Sequence, residues 1–274
     1  MKDACFIVPV HEARFESDVL PLIESYHVHY GDDHLFLVFS TKEEFEVFSK
    51  MSPVDFIYQP IIVDYELTYS KPITEKKFYG LRWVFENTDF KYAGVVDCDA
   101  RFIDRKDYAL LFRDYHDRKK VFSSRVENKG INEKVGLESC YYNFDCDDFA
   151  EIVLRTDNFL QYFWFNDIPV YERETFKAFD EYVQPNGVEM RSLKYTDFDY
   201  NLYTWYRIIS DTEFELVDIA PGLNLKNGSF LECQNEIEQE LFEEVIEKIQ
   251  PMWLVDPSGY EDMPKLFMRF HTDR

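Results

Sequence analysis

Four apolar runs separated by helical patterns constrain this chain more than anything else in it. Cys5 to Val10, His34 to Phe39, Val54 to Ile62 and Tyr92 to Val96 read as extended, strand-like runs. Between the first two, Ser17 is placed to cap a helix through about Tyr30, with Val19, Leu20, Leu22, Ile23 and Tyr26 inward. Thr41-Lys42-Glu43-Glu44 is a capping box that opens a helix burying Phe45, Phe48 and Met51. Thr74 begins a third helix, to about Asn87, with Phe78, Leu81, Val84 and Phe85 inward. Strand and helix alternating in this way predict an α/β domain, a mostly parallel sheet flanked by helices. Ligands of such sheets bind outside the carboxyl ends of the strands.

The fourth run stops abruptly at Asp97-Cys98-Asp99, and a second apolar pair, Phe102-Ile103, follows. Two carboxylates two residues apart at the end of a buried strand are costly to leave unpaired. A divalent cation takes both charges and still holds phosphate oxygens. Spacing alone decides little: Asp-x-Asp occurs at Asp97/Asp99, Asp145/Asp147 and Asp197/Asp199, about as often as 26 aspartates produce it by chance. Position decides, because only the first pair directly ends a buried strand. Asp145/Asp147 reads as a solvated loop.

Bulk properties narrow the ligand. The 274 residues carry 30 basic and 53 acidic side chains, a net charge of -23 that argues against nucleic acid as the main partner. A nucleotide remains open to such a chain when a metal ion screens its phosphates. Pro9-Val10-His11-Glu12-Ala13 lacks the glycine fingerprint of a dinucleotide site. Cys5, Cys98, Cys140, Cys146 and Cys233 are scattered without zinc spacing, which fits free thiols in a reducing compartment. No apolar run approaches the roughly 18 residues of a membrane span. Met1-Lys2-Asp3 leads into a strand-like segment in place of a signal peptide, so a soluble cytoplasmic protein is expected.

Beyond Asp104 the pattern loosens. It predicts a helix over Lys106 to Lys119, a short strand over Val121 to Ser124, and a long loop from Asn128 to Asp148. A helix over Asp148 to Thr156 and an aromatic strand over Phe159 to Phe165 follow, then a helix from Glu172 to Val183. Another helix starts near Asp197 to Asp199 and carries Tyr203, Tyr206 and Ile209; a strand covers Phe214 to Ile219. Glu236 to Gln250 is an amphipathic helix stopped by Pro251. With no repeats and no linker rich in Pro, Gly or Ser, one domain over 1-274 is expected.

The order of elements, with Tyr92-Ala93-Gly94-Val95-Val96-Asp97-Cys98-Asp99 ending the fourth strand near residue 100, resembles the glycosyltransferases of the GT-A fold. The resemblance spans residues 1 to about 110. It implies a Rossmann-like sheet whose Asp-x-Asp motif holds Mn2+ or Mg2+ on the diphosphate of a nucleotide sugar, a UDP-sugar above all. Residues 1-110 would then bind the donor and 111-274 the acceptor, a glycan or other hydroxyl, as in polysaccharide biosynthesis. Asp99 would ligate the metal, and Asp97 would contact the ribose or reach the metal through water. By position, His11, Glu12 and Arg14 lie where the base and ribose would sit, and Lys76, Lys77 and Arg82 where phosphates or base would be reached. Each also reads as ordinary surface charge.

The resemblance further implies a base in the second half. Inverting GT-A enzymes place a carboxylate at a helix start there, and Asp199 or Asp197 is similarly placed. The alternative is an N-cap, since Asp before a helix satisfies orphan N–H groups. His271 is similar in placement to a third metal ligand, against the reading of a frayed terminal histidine. A glycosyltransferase moving a hexose or pentose leads. A nucleotidyltransferase acting on sugar phosphates and a non-catalytic carbohydrate-binding protein on the same scaffold are the rivals.

Overall fold

The computed structural model describes residues 3–31, 34–67, 72–102, 105, 107–117, 120–125, 161–162, 169–183, 199–211, 213, 215–218, 224–226 and 230–232. The strands in chain order are β1 (Ala4–Pro9), β2 (Leu35–Phe39), β3 (Gln59–Ile62), β4 (Tyr92–Val95) and β5 (Lys120–Arg125). They continue with β6 (Gln161–Tyr162), β7 (Val170–Glu172), β8 (Glu215–Asp218), β9 (Asn224–Lys226) and β10 (Phe230–Glu232). The α-helices are α1 (Leu20–His29), α2 (Lys42–Met51), α3 (Pro72–Asn87), α4 (Tyr108–Asp117), α5 (Arg173–Val183) and α6 (Asp199–Ser210). Two compact units result, one from the described residues of 3–116 and 169–176, the other from those of 117–162 and 177–232.

The first unit is a five-stranded sheet in the order β3-β2-β1-β4-β7. The first four strands are mutually parallel, and β7 joins β4 antiparallel. Every residue of β1 and β2 is buried, as strands covered on both faces must be. Alternation along β1 sends neighbours to opposite faces. Phe6 meets the rings of Tyr26, Phe102, Tyr108 and Phe112 at centroid distances of 6.0, 5.1, 4.2 and 5.4 Å, so α1 and α4 cover its face. Ile7 faces α3. There Gly80 lets helix and sheet approach so closely that a Cβ would lie 2.8 Å from both Ile7 Cγ2 and Val38 Cγ2. On the next strand Phe36 meets Trp83 of α3, while Phe39 meets Phe48 of α2 on the other side.

Helix ends are closed by specific groups. Thr41 Oγ1 accepts from Glu44 N at 3.1 Å, the first half of the expected capping box. Gly31, at φ 59°, supplies the left-handed residue just past α1. At the far end of α3, Arg173 lays its guanidinium on the carbonyls of Phe85, Thr88 and Phe90, and its cation on the Phe85 ring at 5.5 Å. A cation on these last carbonyls also complements the helix dipole.

In the second unit β5 pairs parallel with β8 and antiparallel with β6, and β9 pairs antiparallel with β10. Phe179 meets Tyr203 and Tyr206 of α6 at 5.7 and 5.5 Å.

The alternating pattern of the first half therefore forms the mostly parallel sheet expected of it, with four differences. Ser17 does not cap α1; its hydroxyl donates to Asp18, and a π-turn over Phe15–Val19 leads into the helix. The run from Val54 shortens to β3, an edge strand that tolerates Pro60 because one side needs no ladder donor. The helix of the Thr74 segment starts earlier, at Pro72. Finally, Val170–Glu172 is a strand where the sequence suggested only the approach to a helix. The readings over Asn128 to Asp148, Asp148 to Thr156 and Glu236 to Gln250 lie outside the described residues, as do Asp145/Asp147, Asp197 and His271.

Candidate functional site

The chain leaves β1 for β2 and β3 on one side, then returns to β4 on the other, so strand order reverses between β1 and β4. A crevice at the carboxyl ends of such a strand pair is where ligands of open α/β sheets bind. Two segments meet there: Val10 and His11 after β1, and Asp97-Cys98-Asp99 after β4. The Asp segment is a tight turn, closed by Ala100 N donating to Asp97 O at 3.1 Å.

Neighbouring segments hold that turn in place. Arg101 donates to the carbonyls of Ser17 and Asp18 at 3.2 Å each and of Ala100 at 2.7 Å. Phe102 N donates to Ser25 Oγ at 3.0 Å. The turn after β4 is thus pinned to the π-turn and first helix after β1. A π-turn is a costly local geometry that recurs near functional sites.

Within the turn the two carboxylates differ. Asp97 Oδ1 pairs with Lys77 Nζ at 3.0 Å. Asp99 Oδ1 is buried and meets no hydrogen-bond donor among the described residues. Burial first, and the Asp97 charge second, push the Asp99 carboxyl up to about 6. A carboxylate short of positive charge in this way suits an added cation. Cys98 is half-buried, and burial with its two acidic neighbours pushes its thiol up to about 12, so it stays protonated. Among the described residues no group of three or more His, Cys, Asp or Glu side chains is close enough to hold a metal alone. A cation here fits only as one shared between Asp97, Asp99 and ligand or water oxygens.

The remaining candidates are spread. His11 is exposed, and its Nδ1 accepts from Ala13 N at 3.1 Å to start the short turn Glu12–Arg14. Arg14 is directed to Asp18, at 3.0 Å. Lys77 stands at the site, whereas Arg82 lies five residues on, about 7.5 Å further along α3 and roughly 140° round it. Asp199 is fully buried in the first turn of α6, in the second unit.

One buried ion pair escaped the sequence. Lys76, read as a phosphate candidate, is 2% exposed; it donates to Val10 O and pairs with Glu44 at 3.5 Å. Glu44 also accepts from Ser40 N at 2.5 Å and Glu12 N at 3.1 Å. These contacts fix the ends of β1 and β2. The only sequence signal was the Glu of the capping box, which a local reading assigns to Thr41 alone.

No protein-family model matches the chain, and no curated protein matches it. Among solved structures, S. aureus TarS is similar at 16% identity and TM-score 0.31, over 46% of this chain and 22% of TarS. TarS 1-349 in complex with UDP is similar at the same identity and TM-score, with 36% of it covered. Core-mannan synthase A (CmsA/Ktr4) from Aspergillus fumigatus, in an Mn/GDP form, is similar at 11% identity and TM-score 0.38, over 80% of this chain and 72% of that one. The chain thus spans about a fifth of TarS.

Proposed function

We propose that this protein is a metal-dependent glycosyltransferase moving a sugar from a nucleoside diphosphate sugar, a UDP-sugar first of all, to a hydroxyl of a glycan or other acceptor. One observation carries the reading: an Asp-x-Asp turn at the strand-order reversal whose Asp99 presents a buried oxygen that meets no donor among the described residues. In this reading Asp99 ligates Mn2+ or Mg2+, Asp97 contacts the ribose or reaches the metal through water, and His271 is a candidate third ligand. The bound ion would stabilise the charge developing on the departing nucleoside diphosphate.

The other residues take roles by position. His11 and Arg14, on the turn after β1, border the base and ribose, and Lys77 meets the diphosphate. Arg82 is the weaker phosphate candidate, because it sits deeper along α3. Asp199 or Asp197 removes the acceptor proton, so the transfer inverts the anomeric centre. Residues 1-110 bind the donor and 111-274 the acceptor within one GT-A-like domain of a cytoplasmic protein. No helix among the described residues is long and apolar enough to cross a membrane.

The test needs no acceptor. Incubation with UDP-glucose, UDP-galactose and UDP-xylose in Mn2+ should release UDP slowly from at least one, and Asp99→Ala should stop that release. UDP release that survives Asp99→Ala would contradict the reading. So would pyrophosphate release from UTP and a sugar phosphate, the mark of a nucleotidyltransferase.

A further inference from the structure

Lys76 and Lys77 are consecutive, buried and both near the strand-order reversal, yet they are committed differently. Lys76 is held by Glu44 and the Val10 carbonyl, deep under the ends of β1 and β2. Lys77 reaches Asp97, and the two ends of that pair differ in exposure: 10% for the lysine side chain and 35% for the carboxylate. A ligand can therefore approach Asp97 without unfolding α3. A lysine ammonium on a flexible stem also re-aims at small cost, unlike the planar fork of arginine.

We infer that Lys77 is an exchangeable counter-ion of the Asp97-Cys98-Asp99 turn, pairing with Asp97 in the ligand-free protein and moving to the diphosphate when a nucleotide binds. The inference rests on the glycosyltransferase reading and adds to it a coupling between its two ligands. An ammonium 3.0 Å from Asp97 Oδ1 occupies the carboxylate that a divalent cation needs, and like charges cannot share it cheaply. Lys77 therefore weakens cation binding to the empty site. A diphosphate brings fresh negative charge within reach of the same ammonium, so Lys77 shifts toward it and its repulsion of a cation at Asp97 falls. Binding of either ligand then favours the other by the same factor. Asp99, which carries the unmet oxygen, is free to act in both states.

The test is Mn2+ binding to the full chain, read from the free-ion resonance signal with and without saturating UDP. Wild type should bind Mn2+ weakly alone and more tightly with UDP. Lys77→Met and Lys77→Gln should bind Mn2+ alone about tenfold more tightly than wild type, and should lose about tenfold in metal-free UDP affinity. Lys77→Arg, which keeps the charge, should stay near wild type for Mn2+ alone. The glutamine variant guards against misfolding of the methionine one, with both checked by circular dichroism. If wild type binds Mn2+ and UDP but the neutral variants bind Mn2+ alone no better, the exchange is overturned and the transferase reading stands. If wild type and variants all fail to bind either ligand, both fall.

Discussion

Lys76 and Glu44 meet at 3.5 Å with side chains 2% and 9% exposed, and through this closed pair α3 and α2 grip the ends of β1 and β2. Burial holds the Lys76 ammonium below the usual lysine range, with Glu44 working against the shift. Such a pair costs desolvation when formed and far more when broken.

Removing one member should therefore be worse than removing both. Glu44→Ala is expected to lower stability by about 3–5 kcal/mol, because a buried ammonium loses its partner. The Glu44→Ala, Lys76→Met double variant should lose clearly less than the sum of its singles. Urea denaturation of the four proteins measures this directly. Additive losses would show that the two side chains act separately.

Asp99 predicts a pH dependence of opposite sense to most carboxylates. Its folded-state value, about 6, lies above its ordinary value of 3.8, so the folded protein binds the extra proton between them. Its contribution to stability is full below about pH 4 and is lost as pH rises through about 6. Metal-free Asp99→Asn should then be more stable than wild type at pH 8, by about 1–3 kcal/mol, and about equal to it at pH 4. Thermal unfolding at the two pH values checks it. Mn2+ affinity of wild type should fall about tenfold per unit below pH 6, because the cation needs the ionised form.

Gly80 marks a close approach of α3 to the sheet. Alanine there gains about 1 kcal/mol of helix propensity but drives a methyl into Ile7 and Val38. Those β-branched contacts yield little, so Gly80→Ala should destabilise by about 1–2 kcal/mol net. Denaturant midpoints decide the sign. A stabilised variant would mean the gap is wider than 2.8 Å allows.

Arg173 should resist conservative replacement. Its guanidinium serves the carbonyls of Phe85, Thr88 and Phe90 together, which a single ammonium cannot reproduce. Arg173→Lys is expected to cost about 2 kcal/mol and Arg173→Ala about 3 kcal/mol, through the end of α3 and the β7 edge. Hydrogen exchange at Phe85 to Phe90 should rise in both. Unchanged exchange there would place the effect elsewhere.

Much of the first unit was legible because its signals are local. Buried strands such as Leu35–Phe39 are short apolar runs, and Thr41 with Glu44 announces a helix start. The Asp97/Asp99 pair stood out by its place after Tyr92–Val95, not by its spacing. What was hidden depends on distant partners. Three residues after Pro169 form β7 only because β4 offers an open edge, and the paired Ala93 and Tyr171 lie 78 positions apart in the chain. Lys76 read as a phosphate candidate or as surface charge because its partner Glu44 lies one helix earlier and its carbonyl acceptor one strand further back. The orphaned oxygen of Asp99, on which the proposed chemistry turns, follows from packing and has no signature in sequence.

The central claim is that Asp97 and Asp99 bind a cation together with a nucleoside diphosphate. Calorimetric titration of the full chain with UDP, with and without Mn2+, tests it most directly. The account predicts UDP binding that strengthens with Mn2+ in wild type and loses that dependence in Asp99→Ala. UDP affinity indifferent to Mn2+, or equally Mn2+-dependent in the folded Asp99→Ala variant, would contradict it.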